Sequence, residues 1–171
     1  RYIMAKNHDS QSWRNWWAVK LGDQPSPHYN TVYTIAGTMF EHHIADAIAP
    51  EGIKDGQIII EKLRLRVNYD LWDNGRIIEI KTHSKENPYS VSKEHWMQTQ
   101  IEMYAYRQMA DKLELPRLTR CEIASYPLEA WEYHLLDEEI EVDPNRLSIH
   151  RIEYDKQWIS NEFLPVLKHW I

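Results

Sequence analysis

At Lys62 the hydropathy of this chain switches to strict alternation, and no other feature constrains the fold as much. Leu63, Leu65, Val67 and Tyr69 alternate with Lys62, Arg64, Arg66, Asn68 and Asp70. Successive side chains of a strand point to opposite faces. The pattern therefore predicts a strand over 62–70 with one apolar face and one polar, largely basic face that ends in an acid. Asp73-Asn74-Gly75 supplies turn chemistry, Asn-Gly being suited to the positive torsions of a tight hairpin. A second strand over 76–81 places Ile78 and Ile80 on one face, with Glu79 and Lys81 on the other.

Helical spacing takes over on both sides of this hairpin. Upstream, Val32, Ile35, Ala36, Met39 and His43 predict a helix over 31–49 stopped by Pro50, and 52–56 reads as a turn. Downstream, 84–92 is a polar loop, and Met97, Ile101, Tyr104 and Ala105 mark a helix over 93–113. Strands are expected over 120–126, 130–136 and 147–152, then a terminal helix over 154–170 that Pro165 would kink. Trp13, Trp16 and Trp17 repeat at helical spacing after Ser10 or Ser12, which suits core packing better than base stacking. The order of elements predicts a mixed α/β (α+β) fold, a central mixed β-sheet flanked by helices. With 171 residues and no internal repeat, residues 1–171 are expected to form one domain. The chain opens on Arg1 rather than Met and is expected to be trimmed at one or both ends.

Composition narrows the partners. One cysteine, Cys121, rules out an intrachain disulfide framework and a four-cysteine iron–sulfur cluster. No run approaches the roughly 18 apolar residues of a membrane span, so a cytoplasmic chain is expected. The net charge of −6 runs against bulk electrostatic binding of nucleic acid. A chain that holds cations through clustered carboxylates tolerates such a balance, because a local basic groove can coexist with an acidic total.

Asp70, Glu79 and Lys81 carry the chemistry. Neighbouring strands lie about 5 Å apart, so a tight hairpin brings Asp70 beside the face shared by Glu79 and Lys81. Two carboxylates that close repel unless a cation lies between them, and Mg²⁺ commonly binds one or two carboxylates plus waters and phosphate oxygens. The neighbouring ammonium can orient or deprotonate a water, or neutralise charge on a phosphate. Spacing alone favours a plainer reading, a solvated strand face with a surface ion pair.

The flanking motifs tip this balance. Asp70, followed after eight residues by Glu79-Ile80-Lys81, resembles the signature of the PD-(D/E)XK nuclease superfamily. Gly37-Thr38-Met39-Phe40-Glu41 resembles the GxxxE motif of its RecB-type, phage lambda-exonuclease-like branch, and Gln100-Ile101-Glu102-Met103-Tyr104 resembles that branch's QxxxY motif. The signature's proline is absent, Tyr69 standing before Asp70. The resemblance implies a restriction-endonuclease-like core and a metal-dependent deoxyribonuclease, of the phage or prophage recombination exonuclease type. Structure-specific or restriction-type endonucleases, and idle relatives that bind DNA or protein, share that scaffold. It further implies Glu41, Asp70, Glu79 and the Ile80 carbonyl as ligands of Mg²⁺ or Mn²⁺, without an iron–sulfur cluster. Lys81 would position the attacking water, and Gln100 and Tyr104 would contact DNA or support the metal shell. Both are equally read as partly buried core, and Glu41 as an exposed helix acid. DNA is the implied partner, met by Lys62, Arg64 and Arg66. A single-strand annealing or recombination protein, a homo-oligomeric ring and the cytoplasm of a bacterial host complete the expectation.

Overall fold

The computed structural model describes residues 31–110 and 120–169, together with positions 11, 14, 15, 18, 19, 22–25, 112, 114, 116 and 118. Five strands, β1 (Ile53–Ile60), β2 (Leu65–Asp73), β3 (Arg76–Ser84), β4 (Arg120–Leu128) and β5 (Ser148–Ile152), form one sheet in the order β1-β2-β3-β4-β5. The β3–β4 pair is parallel and the other three are antiparallel, so the sheet is mixed as expected. The parallel pair requires a crossover, and helix α2 (Lys93–Ala110) supplies most of it.

Helix α1 (Val32–Ile48) begins at Thr31, whose hydroxyl accepts from the Thr34 amide while the Thr34 hydroxyl reaches back to the Thr31 amide. Its buried stripe of Ala36, Phe40, Ile44 and Ala45 packs on Leu71, Ile78, Ile80, Ala124 and Tyr126. Helix α2 covers the opposite face, with Met103, Ala105 and Tyr106 against Ile58, Val67, Ile77, Cys121 and Ile123. Alternate residues of β3 and β4 thus serve two cores, one on each side of the sheet. An ideal Cβ on Gly37 would come 3.1 Å from Thr82 Oγ1, so glycine lets α1 lie close against β3. Glu41 follows one helical turn later.

Several expectations require correction. The strand expected over 62–70 starts at Leu65: 61–63 form a 3-10 turn, and Arg64 closes it in the left-handed region at φ 45°. Lys62 and Arg64 therefore precede the strand, and Arg66 lies within it, exposed. The expected turn over 52–56 is the start of β1, whose Gly56 lies opposite Tyr69. A Cβ on Gly56 would meet the Tyr69 ring at 2.0 Å, so the ring covers bare backbone there. The strand expected over 130–136 is a loop with a 3-10 turn at Glu132–His134. Arg146 ties that loop down, donating to the buried Glu132 carboxylate at 2.6 and 2.8 Å with its guanidinium 4.5 Å from the centre of the Tyr126 ring. In the terminal helical run over 156–169, Ile159–Phe163 is π-helical just ahead of Pro165, which has no N–H to continue the ladder. Trp13, Trp16 and Trp17 lie outside the described residues.

Candidate active site

The β2–β3 ladder is short. Leu71 pairs with Ile78, Trp72 with Ile77 and Asp73 with Arg76, around a turn in which Asn74 and Gly75 have φ of 52° and 82°. Beyond Leu71 the strands diverge. The next position is Asp70, whose carboxylate accepts the Ile80 amide at 2.7 Å in place of a backbone bond. Facing alternation also breaks here: Val67 and Tyr69 belong to the α2-side core, whereas Leu71 belongs to the α1-side core. Across the sheet, β1 and β2 pair on both sides of Asp55 and Asp70 but not between them, and Asp55 has φ 50°. The divergence therefore opens a gap through which side chains from both layers can meet.

Four of the residues singled out from the sequence converge on this gap. Glu79 is 1% exposed on the α2 side, where its Oε1 accepts from Lys81 Nζ and, at 2.5 Å, from Gln98 Nε2. Glu41 comes from α1, half-buried, within electrostatic reach of Glu79, Lys81 and Asp55. Burial, followed by the Glu79 and Glu41 charges, pushes the Asp70 carboxyl up to about 8 against the pull of Lys81 and the Ile80 amide. Burial, then Glu79, raises Glu41 as well. For Lys81 burial disfavours the ammonium, but Glu79 and Asp70 outweigh it and raise the pKa, so the side chain stays charged at neutral pH. In an extended residue the N–H and C=O point the same way, so the Ile80 carbonyl also faces the gap.

Other assignments change. Gln100 is fully buried, its amide donating to the Glu153 carbonyl and accepting from the Asp155 amide, both at 2.7 Å. Tyr104 packs edge-on against Phe163, ring centres 5.7 Å apart. Both belong to the contact between α2 and the terminal helix, so neither is free to meet DNA. The α2 glutamine that reaches Glu79 is Gln98. Glu102 lies one turn further along α2, inside the segment over 100–104. It is 1% exposed, with Glu79 and Gln98 as its polar neighbours. Burial first, then the Glu79 charge beside it, raises the Glu102 carboxyl well above its ordinary range. The sequence signal for this pair is the i, i+4 spacing of Gln98 and Glu102, one turn apart on the helix. His43 turns elsewhere, its Nε2 3.1 Å from Asp137, whereas His42 Nδ1 lies 3.7 Å from Asp55 and its charge acts on Glu41.

The donor chemistry fits a hard divalent cation, with several carboxylates raising one another's pKa and a buried oxygen of Glu79 unpaired. Among the described residues no three His, Cys, Asp or Glu side chains are already close enough to hold a metal ion. Compared with known proteins, the chain matches no family model, no curated protein and no solved structure. No described helix is long and apolar enough to cross a membrane.

Proposed function

We propose that the chain is a divalent-cation-dependent deoxyribonuclease on a restriction-endonuclease-like core, of the exonuclease-like PD-(D/E)XK branch. The observation that carries this reading is that Glu41, Asp70, Glu79 and Lys81 lie within electrostatic reach of one another around the β2–β3 divergence, with an Asp70 carboxyl raised to about 8. A site that crowds acids out of water, with only one ammonium to balance them, favours a cation over an empty surface. The Asp70, Glu79 and Glu41 carboxylates and the Ile80 carbonyl would hold Mg²⁺ or Mn²⁺. When bound, that ion supplies an activated water and charge neutralisation at a phosphodiester. Lys81, kept charged by its neighbours, is suited to orienting the attacking water and stabilising phosphate charge rather than to acting as a base. Glu79, fixed by Lys81 and Gln98, keeps the ligand set in one orientation.

The test is Mg²⁺- and Mn²⁺-dependent degradation of linear DNA, with Lys81→Ala as the control. Wild type should degrade the DNA, and Lys81→Ala should lose about a hundredfold or more of that rate. Equal inertness of the two proteins with both metals defeats the reading. Closed circular DNA, resistant to an exonuclease, separates it from an endonuclease.

A further inference from the structure

Beyond Lys81, the α2-facing side of the sheet stays polar and becomes aromatic. His83 follows Lys81 on the same face of β3, Ser125 lies opposite Lys81 on β4, and His150 lies opposite Ile123 on β5. Tyr89, from the loop after β3, stands among three imidazoles. Its ring centre is 5.8 Å from that of His83, 5.2 Å from His150 and 5.7 Å from His95, the last pair parallel to within 8°. All four rings are half-buried. The cluster borders the candidate site, since the charges of Lys81 and Glu79 act on both Tyr89 and His95.

The hydrogen bonds of the cluster leave ring nitrogens over. His83 Nδ1 lies 3.0 Å from the Ser84 and Asn87 carbonyls; carbonyls only accept, so Nδ1 carries the proton and Nε2 is left as an acceptor. Tyr89 Oη meets His95 Nδ1 at 2.8 Å, and Ser125 Oγ meets His150 Nε2 at 3.0 Å, leaving His95 Nε2 and His150 Nδ1 over. Among the described residues none of these three imidazoles is paired with a carboxylate. Burial, followed by the Lys81 charge, holds the His95 pKa below its usual value, so that ring stays neutral. Half-exposed rings carrying spare donors and acceptors match a flat heteroaromatic base better than a phosphate, which asks for fixed positive charge.

We propose that His83, Tyr89, His95 and His150 form a nucleobase subsite, receiving the base next to the phosphate held at the Asp70–Glu79–Lys81 site. The inference rests on the nuclease reading for its substrate, and its test is binding rather than cleavage. A four-nucleotide deoxythymidine oligomer and an abasic backbone of equal length carry the same charge. Their affinities are compared by fluorescence anisotropy with Ca²⁺ in place of Mg²⁺, the oligomers being checked on a gel for intactness. Stacking of one base is worth about 1–3 kcal/mol, so wild type should favour the base-bearing oligomer by about 5- to 150-fold.

Tyr89→Ala should bring that ratio close to one without weakening the abasic oligomer, whereas Tyr89→Phe, which keeps the ring, should retain it. His150→Ala, which removes a half-buried ring on the edge strand β5, should lower the ratio even if Tyr89→Ala fails to fold. A wild-type ratio near one, or a ratio that survives both alanine variants, overturns the subsite. Equal inertness of wild type and Lys81→Ala towards DNA, with base discrimination intact, would defeat the nuclease and leave the subsite standing.

Discussion

The Asp70 carboxylate accepts the Ile80 amide at 2.7 Å where the β2–β3 ladder stops, so one side chain both ends the pairing and enters the candidate site. The bond favours the ionised carboxylate, but burial and the neighbouring acids prevail and raise its pKa to about 8. An unfolded aspartate titrates at about 3.9. Between these values the folded chain holds a proton that the unfolded chain releases, so Asp70 lowers stability as pH rises from about 4 to about 8. In EDTA the melting temperature should fall across this interval, and Asp70→Asn should flatten the fall. Added Mg²⁺ should raise the melting temperature more at pH 8 than at pH 5, because an ion that replaces the proton binds the deprotonated site. A wild-type profile identical to that of Asp70→Asn would show that Asp70 is not so perturbed.

Gln98 and Gln100 make a controlled pair on one helix. Gln98 donates to Glu79, and Gln100 joins the chain at Glu153 and Asp155. Removing a group that orients a metal ligand typically costs 10- to 100-fold in metal affinity or activity. Gln98→Ala should lose about that much while its denaturation midpoint stays near wild type. Gln100→Ala should lose about 1–3 kcal/mol of stability with its site chemistry intact once folded. Urea titration and cleavage rates measured on both variants check this, and the opposite pattern would restore Gln100 to the site.

That reversal shows what the sequence could and could not convey. Hairpin, flanking helices and mixed sheet were legible because each rests on local rules: period two on either side of Asn74-Gly75, and helical spacing after Thr31. The start of β2 was not, because Leu63 keeps the alternation going while its backbone already turns in a 3-10 helix ahead of Arg64. β1 was hidden by Gly52 and Gly56, which look like turn residues but serve Leu71 and Tyr69 side chains packing across the strand. In the site, strand geometry suggests Asp70 beside Glu79 and Lys81, but spacing alone favours a solvated face, and the flanking motifs around Glu41 and Gln100 are what single these residues out. Choosing between Gln98 and Gln100 depends on how α2 is rotated about its axis. That rotation is set by tertiary packing against Ile77, Cys121 and Ile123, which no local pattern encodes.

Glu102 offers a second test of electrostatics. Its carboxyl is buried beside Glu79 and Gln98, and burial together with the Glu79 charge holds its pKa well above the usual carboxylate range. A raised carboxyl pKa costs stability as pH increases. Glu102→Gln carries no charge to suppress and offers an amide N–H to the unpaired Glu79 Oε2. The variant should match wild type at pH 5 and exceed its melting temperature at pH 8 in EDTA. A variant less stable than wild type at pH 8 would mean that Glu102 is charged and satisfied by a group outside this arrangement.

The loop after β4 is a further support of the site, because it carries the ring on which α1 leans. Tyr133 meets Tyr33 of α1 edge-on, ring centres 5.0 Å apart, and Arg146 fixes the same loop through the buried Glu132. Removing Arg146 leaves a carboxylate that is 2% exposed without its counter-charge. Breaking such a pair costs about 3–5 kcal/mol. Arg146→Ala should therefore lose that order of stability in urea, and Glu132→Gln in the same chain should return part of it by removing the stranded charge. Because Glu41 rides on α1, Arg146→Ala should also weaken Mg²⁺ binding, measured by calorimetry well below its unfolding transition. Unchanged Mg²⁺ affinity with reduced stability would confine Arg146 to holding the loop and free α1 from depending on it.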